Sequence, residues 1–390
     1  MLNAPFLFLA GISLMFFFAL SFSSWRFSLP SVLVYILLGA AVASYLAETR
    51  TVHTVGEIGI VLLFFVLGLD FPMSRMVDIS RRIWAAGLLD LGLNFGLSIA
   101  LALAFGLDAV SAFVLGSVAY ATSSSITVKL LEEKKRLANA EAELVLALLI
   151  FEDLVAPVLV SFIVGLQGDE AVSLGFIGLI FIKIVVLVLG AVLLGYYGFR
   201  KLSDFVAKHL EKDFMPLLAV GIALTYAGFA VYLGISEVLG AFLAGIMLSE
   251  TGKSRDLENL ALPLRNLTLP FFFFWFGTTI SLQQGLPLVG LMLAFLAWSV
   301  VGKMLTGYWG GRLFGLSSKV SMRAGLCLVQ RGEFSAIIAS LAAPQLRIFS
   351  GLYILVSASI GVLLFGRAPR IARRMSVKRP ERAQSSIPHE

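Results

Sequence analysis

The sequence predicts an all-α polytopic membrane protein of about thirteen transmembrane helices, built as inverted-topology repeats with two crossed discontinuous helices. Three observations carry that expectation. The 390 residues are 59% hydrophobic and only 14% charged, with a mean hydropathy of +0.94, more apolar surface than a soluble domain needs to fill its core. Apolar runs long enough to cross a bilayer follow one another with short polar connectors between them. Segments of the first half recur in the second at a nearly constant offset, with an odd number of runs between them.

In order, the runs cover residues 5–24, 31–48, 56–71, 83–105, 109–131, 141–166, 173–198, 214–233, 236–250, 263–283, 286–314, 320–343 and 348–366. The first has no basic n-region and no evident cleavage site, so it reads as a retained span and not a signal peptide. The transmembrane domain is residues 1–366, with repeat 1 at about 31–166, a linking span at 173–198 and repeat 2 at about 236–366. Residues 367–390 form a basic tail. Thirteen crossings put the termini on opposite sides. Of the 30 Lys and Arg residues, all but Arg50, Arg347, Lys183, Lys303 and Arg331 fall on the side that holds the tail. Basic residues stay in the cytoplasm, so the C-terminus is cytoplasmic and the N-terminus outside. The net charge of +6 is therefore an orientation signal and not a nucleic-acid footprint. Cys327 stands alone, which excludes an intrachain disulfide and a cysteine metal cluster; it reads as a small core residue.

The repeat inverts. Val32–Ala43 matches Val238–Ser249 at an offset of 206, and Leu67-Gly68 matches Phe276-Gly277 at an offset of 209. At the second offset Asn94 falls on Lys303, and Thr122-Ser123 falls on Arg331-Gly332. Seven spans separate the members of each pair, so the halves run antiparallel. Secondary transporters with binding sites at the midplane of a repeat interface share this architecture.

Polar residues interrupt three spans. The sixth carries Glu152-Asp153 close to its midpoint, where an ionised carboxylate loses its hydration at high cost. Neighbouring helical residues diverge by about 100°, so the two acids face different surroundings. Pro157 removes the backbone donor that the Asp153 carbonyl would otherwise meet. The fifth span holds Thr122-Ser123-Ser124-Ser125, a hydroxyl run that either unwinds the helix or packs it closely against a neighbour. The twelfth holds Arg331-Gly332-Glu333 at the repeat-equivalent place. Two broken helices crossing there would present opposed helix ends and free carbonyls, suited to a bare cation and a carboxylate. Lys303 is the natural counter-charge of the acidic pair, and Lys183 is equally deep but has no assigned role. Asp70 and Asp90 read as ordinary solvated carboxylates near span ends.

With these residues quoted, the chain resembles the monovalent cation:proton antiporters of the Kef-type and Kht-type potassium efflux systems. The resemblance rests on LPSVLVYILLGA, GIVLLFFVLGLDF, YATSSSITVKLLEEKKR, LLIFEDLVA, EVLGAFLAGIML and VQRGEFSAIIAS in that order, and it covers almost the whole chain. It implies the sodium/proton antiporter fold, a homodimer, no cofactor, and an ion- and proton-carrying carboxylate at Asp153. It also implies that Lys303 faces the acidic motif. On this reading Glu152 pairs with Lys303, Thr122 and Ser123 replace water around the cation, and Arg331 and Glu333 hold the second broken helix. The long Kef-type members append a nucleotide-binding domain, and nothing after Arg367 could fold as one; the Kht-type resemblance implies regulation by a separate cytosolic subunit, and a chain cut short of such a domain would read the same. The expected function is exchange of K⁺, with Na⁺ as the other candidate, for protons in a bacterial inner membrane. The alternative is a cation channel gated by a cytosolic subunit. An enzyme is not expected, since no span holds HExxH or a Ser/His pair.

Overall fold

The computed structural model describes residues 6–26, 30–43, 50–70, 83–166, 174–199, 214–249, 251, 254–280 and 288–375. Within them every regular element is helical. A chain this apolar must satisfy each backbone amide inside its own segment, and the helix does so. The elements are α1 (Phe6–Arg26), α2 (Ser31–Val42), α3 (Arg50–Leu69), α4 (Ile83–Ala104), α5 (Ala109–Tyr120), α6 (Ser124–Glu133) and α7 (Ala140–Leu166). They continue with α8 (Leu174–Leu193), α9 (Met215–Tyr232), α10 (Glu237–Ser249), α11 (Ser254–Thr278), α12 (Val289–Leu305), α13 (Ser318–Leu326), α14 (Glu333–Ser340) and α15 (Pro344–Met375).

Among the described residues, nine helical segments are long and apolar enough to cross a membrane; of three shorter apolar helices, two precede them and one, Glu237–Ser249, lies among them. With the interrupted pair α13/α14 they fill the thirteen expected spans. Several bounds differ from the sequence reading. Helix α11 starts at Ser254, so Arg265, expected on a connector, lies inside a helix that tolerates Pro263 and Pro270. Helix α15 runs to Met375, so the first residues of the expected tail are helical. Of the basic connectors, residues 71–82, 200–213 and 252–253 lie outside the described residues, as does the tail beyond 375.

Helices α2, α3, α10 and α11 make one packed group, and α4 to α7 pack with α12 to α15 in a second. The first group shows the inversion at atomic level. A Cβ at Gly39 would strike Phe274 and Gly277, and one at Gly277 would strike Ile36 and Gly39. Likewise, a Cβ at Gly68 would strike Phe242 and Gly245, and one at Gly245 would strike Phe65 and Gly68. The offsets of 206 and 209 carry Gly39 onto Gly245 and Gly68 onto Gly277, so the α2/α11 crossing is the repeat mate of the α10/α3 crossing. Small residues at both let the backbones touch, the usual route to tight association where lipid supplies no hydrophobic drive.

Candidate functional site

The interruptions of the fifth and twelfth spans are breaks, whereas the sixth span stays one helix. Helix α5 ends at Tyr120, Ala121 turns extended (φ −72°, ψ 122°), and α6 begins after Ser123. Ser123 is the N-cap of α6, its hydroxyl accepting from the Ile126 amide. In the second repeat α13 ends at Leu326 and α14 begins at Glu333, with Gly332 extended before it. The breaks cross in contact. The Ser123 amide donates to the Gln330 carbonyl at 2.9 Å, and a Cβ on Gly332 would collide with the Ser123 side chain. Ser335 of α14 donates to the Val118 carbonyl at 2.8 Å, tying it to the end of α5. Hydroxyls and glycine are what such a crossing requires: the first satisfy freed backbone groups, the second lets chains approach.

Helix α7 brings its acids to this crossing, and they part as expected. Glu152 is sealed from solvent. It accepts from the Thr122 amide, from Thr122 Oγ1 at 3.1 Å and from Lys303 Nζ at 2.9 Å. The expected Glu152–Lys303 pair is therefore present. Asp153 sits at the edge of the same cluster, 5% exposed, with both carboxylate oxygens 2.9 Å from Ser124 Oγ. Ser124 is half-buried and Ser125 exposed, so this edge opens toward solvent while the Glu152 side is closed.

Thr122 and Ser123, read as cation ligands, are engaged elsewhere. Thr122 Oγ1 serves Glu152 and lies 3.0 Å from the Leu328 carbonyl. Ser123 Oγ donates to Glu333 Oε2 at 2.6 Å. The hydroxyl that meets Asp153 is that of Ser124, one residue on. Glu333 also accepts from the Ser125 amide and hydroxyl, both at 3.0 Å, so a carboxylate from the second repeat caps the N-terminus of α6. That is the end of a helix where negative charge is favoured. Arg331 is fully buried between the breaks; its Nη1 lies 3.3 Å from Thr122 Oγ1 and 3.4 Å from the Leu328 carbonyl.

Asp90 corrects the sequence reading. It is fully buried, two turns into α4, not solvated at a span end. Its oxygens lie 2.9 and 3.1 Å from Lys303 Nζ, and Asn94 Nδ2 donates to it at 2.8 Å. Asn94 also donates to Thr306 at 2.9 Å, and the Tyr120 ring lies 5.5 Å below Lys303 Nζ. Lys303 is thus shared by two acids. The signal was available in the sequence as a polar i, i+4 pair, Asp90 and Asn94, within an apolar run, which places both on one helix face.

Crossed broken helices thus surround a sealed acid–base cluster with one carboxylate at its open edge. Residues 12–366 match the family model described as sodium/hydrogen exchanger, transmembrane. The chain belongs to that family. It is 50% identical over 375 residues to the "Ammonium/H(+) antiporter subunit AmhT" of Alkalihalophilus pseudofirmus, covering 96% of each chain. It is 31% identical over 347 residues to the "K(+)/H(+) antiporter subunit KhtU" of Bacillus subtilis, covering 87% of this chain and 85% of that one. The solved structure of the sodium proton antiporter MjNhaP1 from Methanocaldococcus jannaschii shares the fold. Its TM-score is 0.71 at 15% identity, over 93% of this chain and 99% of that one.

Proposed function

We propose that the chain exchanges a monovalent cation for protons by alternating access, with Asp153 holding either a proton or a partly dehydrated cation and never both. The observation that supports this is the position of Asp153: a nearly buried acid at the open edge of a closed ionic cluster, backed by a hydroxyl. One carboxylate that must lose its proton to take a cation couples the two fluxes without further machinery. Ser124 is the first neutral ligand, Glu152 stays paired with Lys303, and Glu333 fixes the α6 end of the crossing. Thr122 and Ser123 shape the break and carry the second rank of hydroxyls. The sealed Glu152–Lys303–Asp90 cluster favours alternate exposure over the open pore that a channel requires.

Among cations we place K⁺ and ammonium ahead of Na⁺, because the relatives at 50% and 31% identity are named for ammonium and K⁺. Both names also contain the word subunit, which supports a working complex with a separate chain. We further propose a homodimer in a bacterial plasma membrane with the C-terminus in the cytoplasm. The deciding experiment imposes K⁺, ammonium, Na⁺, Li⁺ and Rb⁺ gradients on proteoliposomes and follows internal pH. Proton counterflow driven by K⁺ or ammonium supports the reading; cation flux without it supports a channel.

A further inference from the structure

The buried charges around the crossing are unevenly paired. Lys303 has two carboxylates within 3.1 Å, from Asp90 and Glu152. Arg331, equally sealed, has none among the described residues: its Nε and Nη2 have no hydrogen-bond partner, and Nη1 reaches only a hydroxyl and a carbonyl. A guanidinium closed off from solvent without a carboxylate is costly, whereas a second acid on one ammonium adds less than the first. Thr122 stands between the two cations, its Oγ1 3.1 Å from Glu152 Oε1 and 3.3 Å from Arg331 Nη1. Moving one carboxylate across Thr122 would leave two one-to-one pairs, Asp90 with Lys303 and Glu152 with Arg331.

We propose that Glu152 exchanges partners during transport, pairing with Lys303 in the conformation described here and with Arg331 in a second one. Asp90 is the residue that makes the exchange affordable, because it keeps Lys303 compensated when Glu152 leaves. Arg331 is the waiting counter-ion, and Thr122 is the relay that both states share. Glu152 and Asp153 are consecutive on α7, so the pairing state of the first shifts the backbone that carries the second. The switch thus links occupancy of the Asp153 site to the fit between α4/α12 and the crossed breaks. It rests on the antiport reading above, but its structural prediction does not require transport to be observed.

Two measurements on the full chain decide it. In proteoliposomes driven by K⁺ or ammonium gradients, Asp90→Asn and Arg331→Gln each should lower maximal exchange by about tenfold. Half-saturating cation concentration should move by less than about twofold, because neither residue touches Asp153. Arg331→Lys should recover part of the rate, and the Asp90→Asn/Arg331→Gln double variant should be no slower than the slower single. Rate losses that multiply in the double variant, or equal rates for Arg331→Gln and Arg331→Lys, would overturn the proposal. The second measurement uses wild type alone: nanodisc structures at low and high pH, with and without the cation. Glu152 within ion-pair reach of Arg331 in one state supports the switch. Glu152 fixed on Lys303 with Arg331 unpaired in every state rejects it, even if the wild type exchanges nothing.

Discussion

Asp90 and Lys303, 213 residues apart in the chain, form a fully buried ion pair at 2.9 Å. The pair joins α4 of the first repeat to α12 of the second, and Glu152 closes it into a triad. Removing one member of a buried pair strands a charge, at a cost of about 3–5 kcal/mol. Lys303→Ala should therefore lower thermal stability in detergent sharply. Adding Asp90→Asn or Glu152→Gln to it should restore about 1 kcal/mol or more if the residues are coupled. Purely additive losses would show that the three do not act as a unit.

Asp153→Asn keeps the volume and polarity of the side chain and removes its titration. Cation-driven proton flux should disappear while the protein still inserts and unfolds at about the wild-type temperature. Substantial residual exchange would move the carrier to another carboxylate, such as Glu333, which caps the same end of α6.

Hydroxyl deletions separate ligand from scaffold. Ser124→Ala removes the group that touches Asp153 and should weaken apparent cation affinity more than maximal rate. Ser123→Ala and Thr122→Ala break the cap of α6 and the Glu152 contacts, so stability should fall with a smaller change in affinity. The reverse ranking would return Thr122 and Ser123 to the cation.

Away from Asp153, Glu141 is fully buried and held by Arg136 at 2.8 Å and by Arg323 of α13. Arg136 also donates to the Phe365 carbonyl at 3.2 Å, so one acid fastens α7, α13 and α15. Glu141→Gln leaves two guanidinia without their carboxylate and should cost about 3 kcal/mol. A calorimetric or fluorescence-detected melt reads it directly.

Asp108 caps α5, accepting from the Val110 and Ser111 amides at 3.0 Å. Hydrogen bonds from Ser111 hold its carboxyl below the usual carboxylate range. A lowered native value stabilises the fold above the ordinary Asp range, near pH 4, and the contribution is lost as pH falls through the lowered value. Asp108→Ala should cost about 1 kcal/mol at neutral pH, and the gap from wild type should close on acidification.

The sequence by itself determined where the chain is apolar, how many times it crosses, and that the halves invert. It also determined which residues interrupt the spans: Glu152, Asp153, Lys303, Arg331 and Glu333. Those follow from local physics, because the cost of a polar group in hydrocarbon can be counted along the chain. Only the tertiary structure decided which face each group presents and what meets it from some 200 residues away. Asp90 looked solvated because depth was read from the helix end, yet it lies just before the π-turn Leu91–Gly96, where α12 packs against it. Ser124, not Ser123, meets Asp153 because α5 ends at Tyr120 and the break runs through Ser123, so Ser123 caps α6 while Ser124 enters its first turn. Helical periodicity fixes an azimuth within one segment. The phase between two broken segments is set by where they cross, and that is a property of the packed molecule.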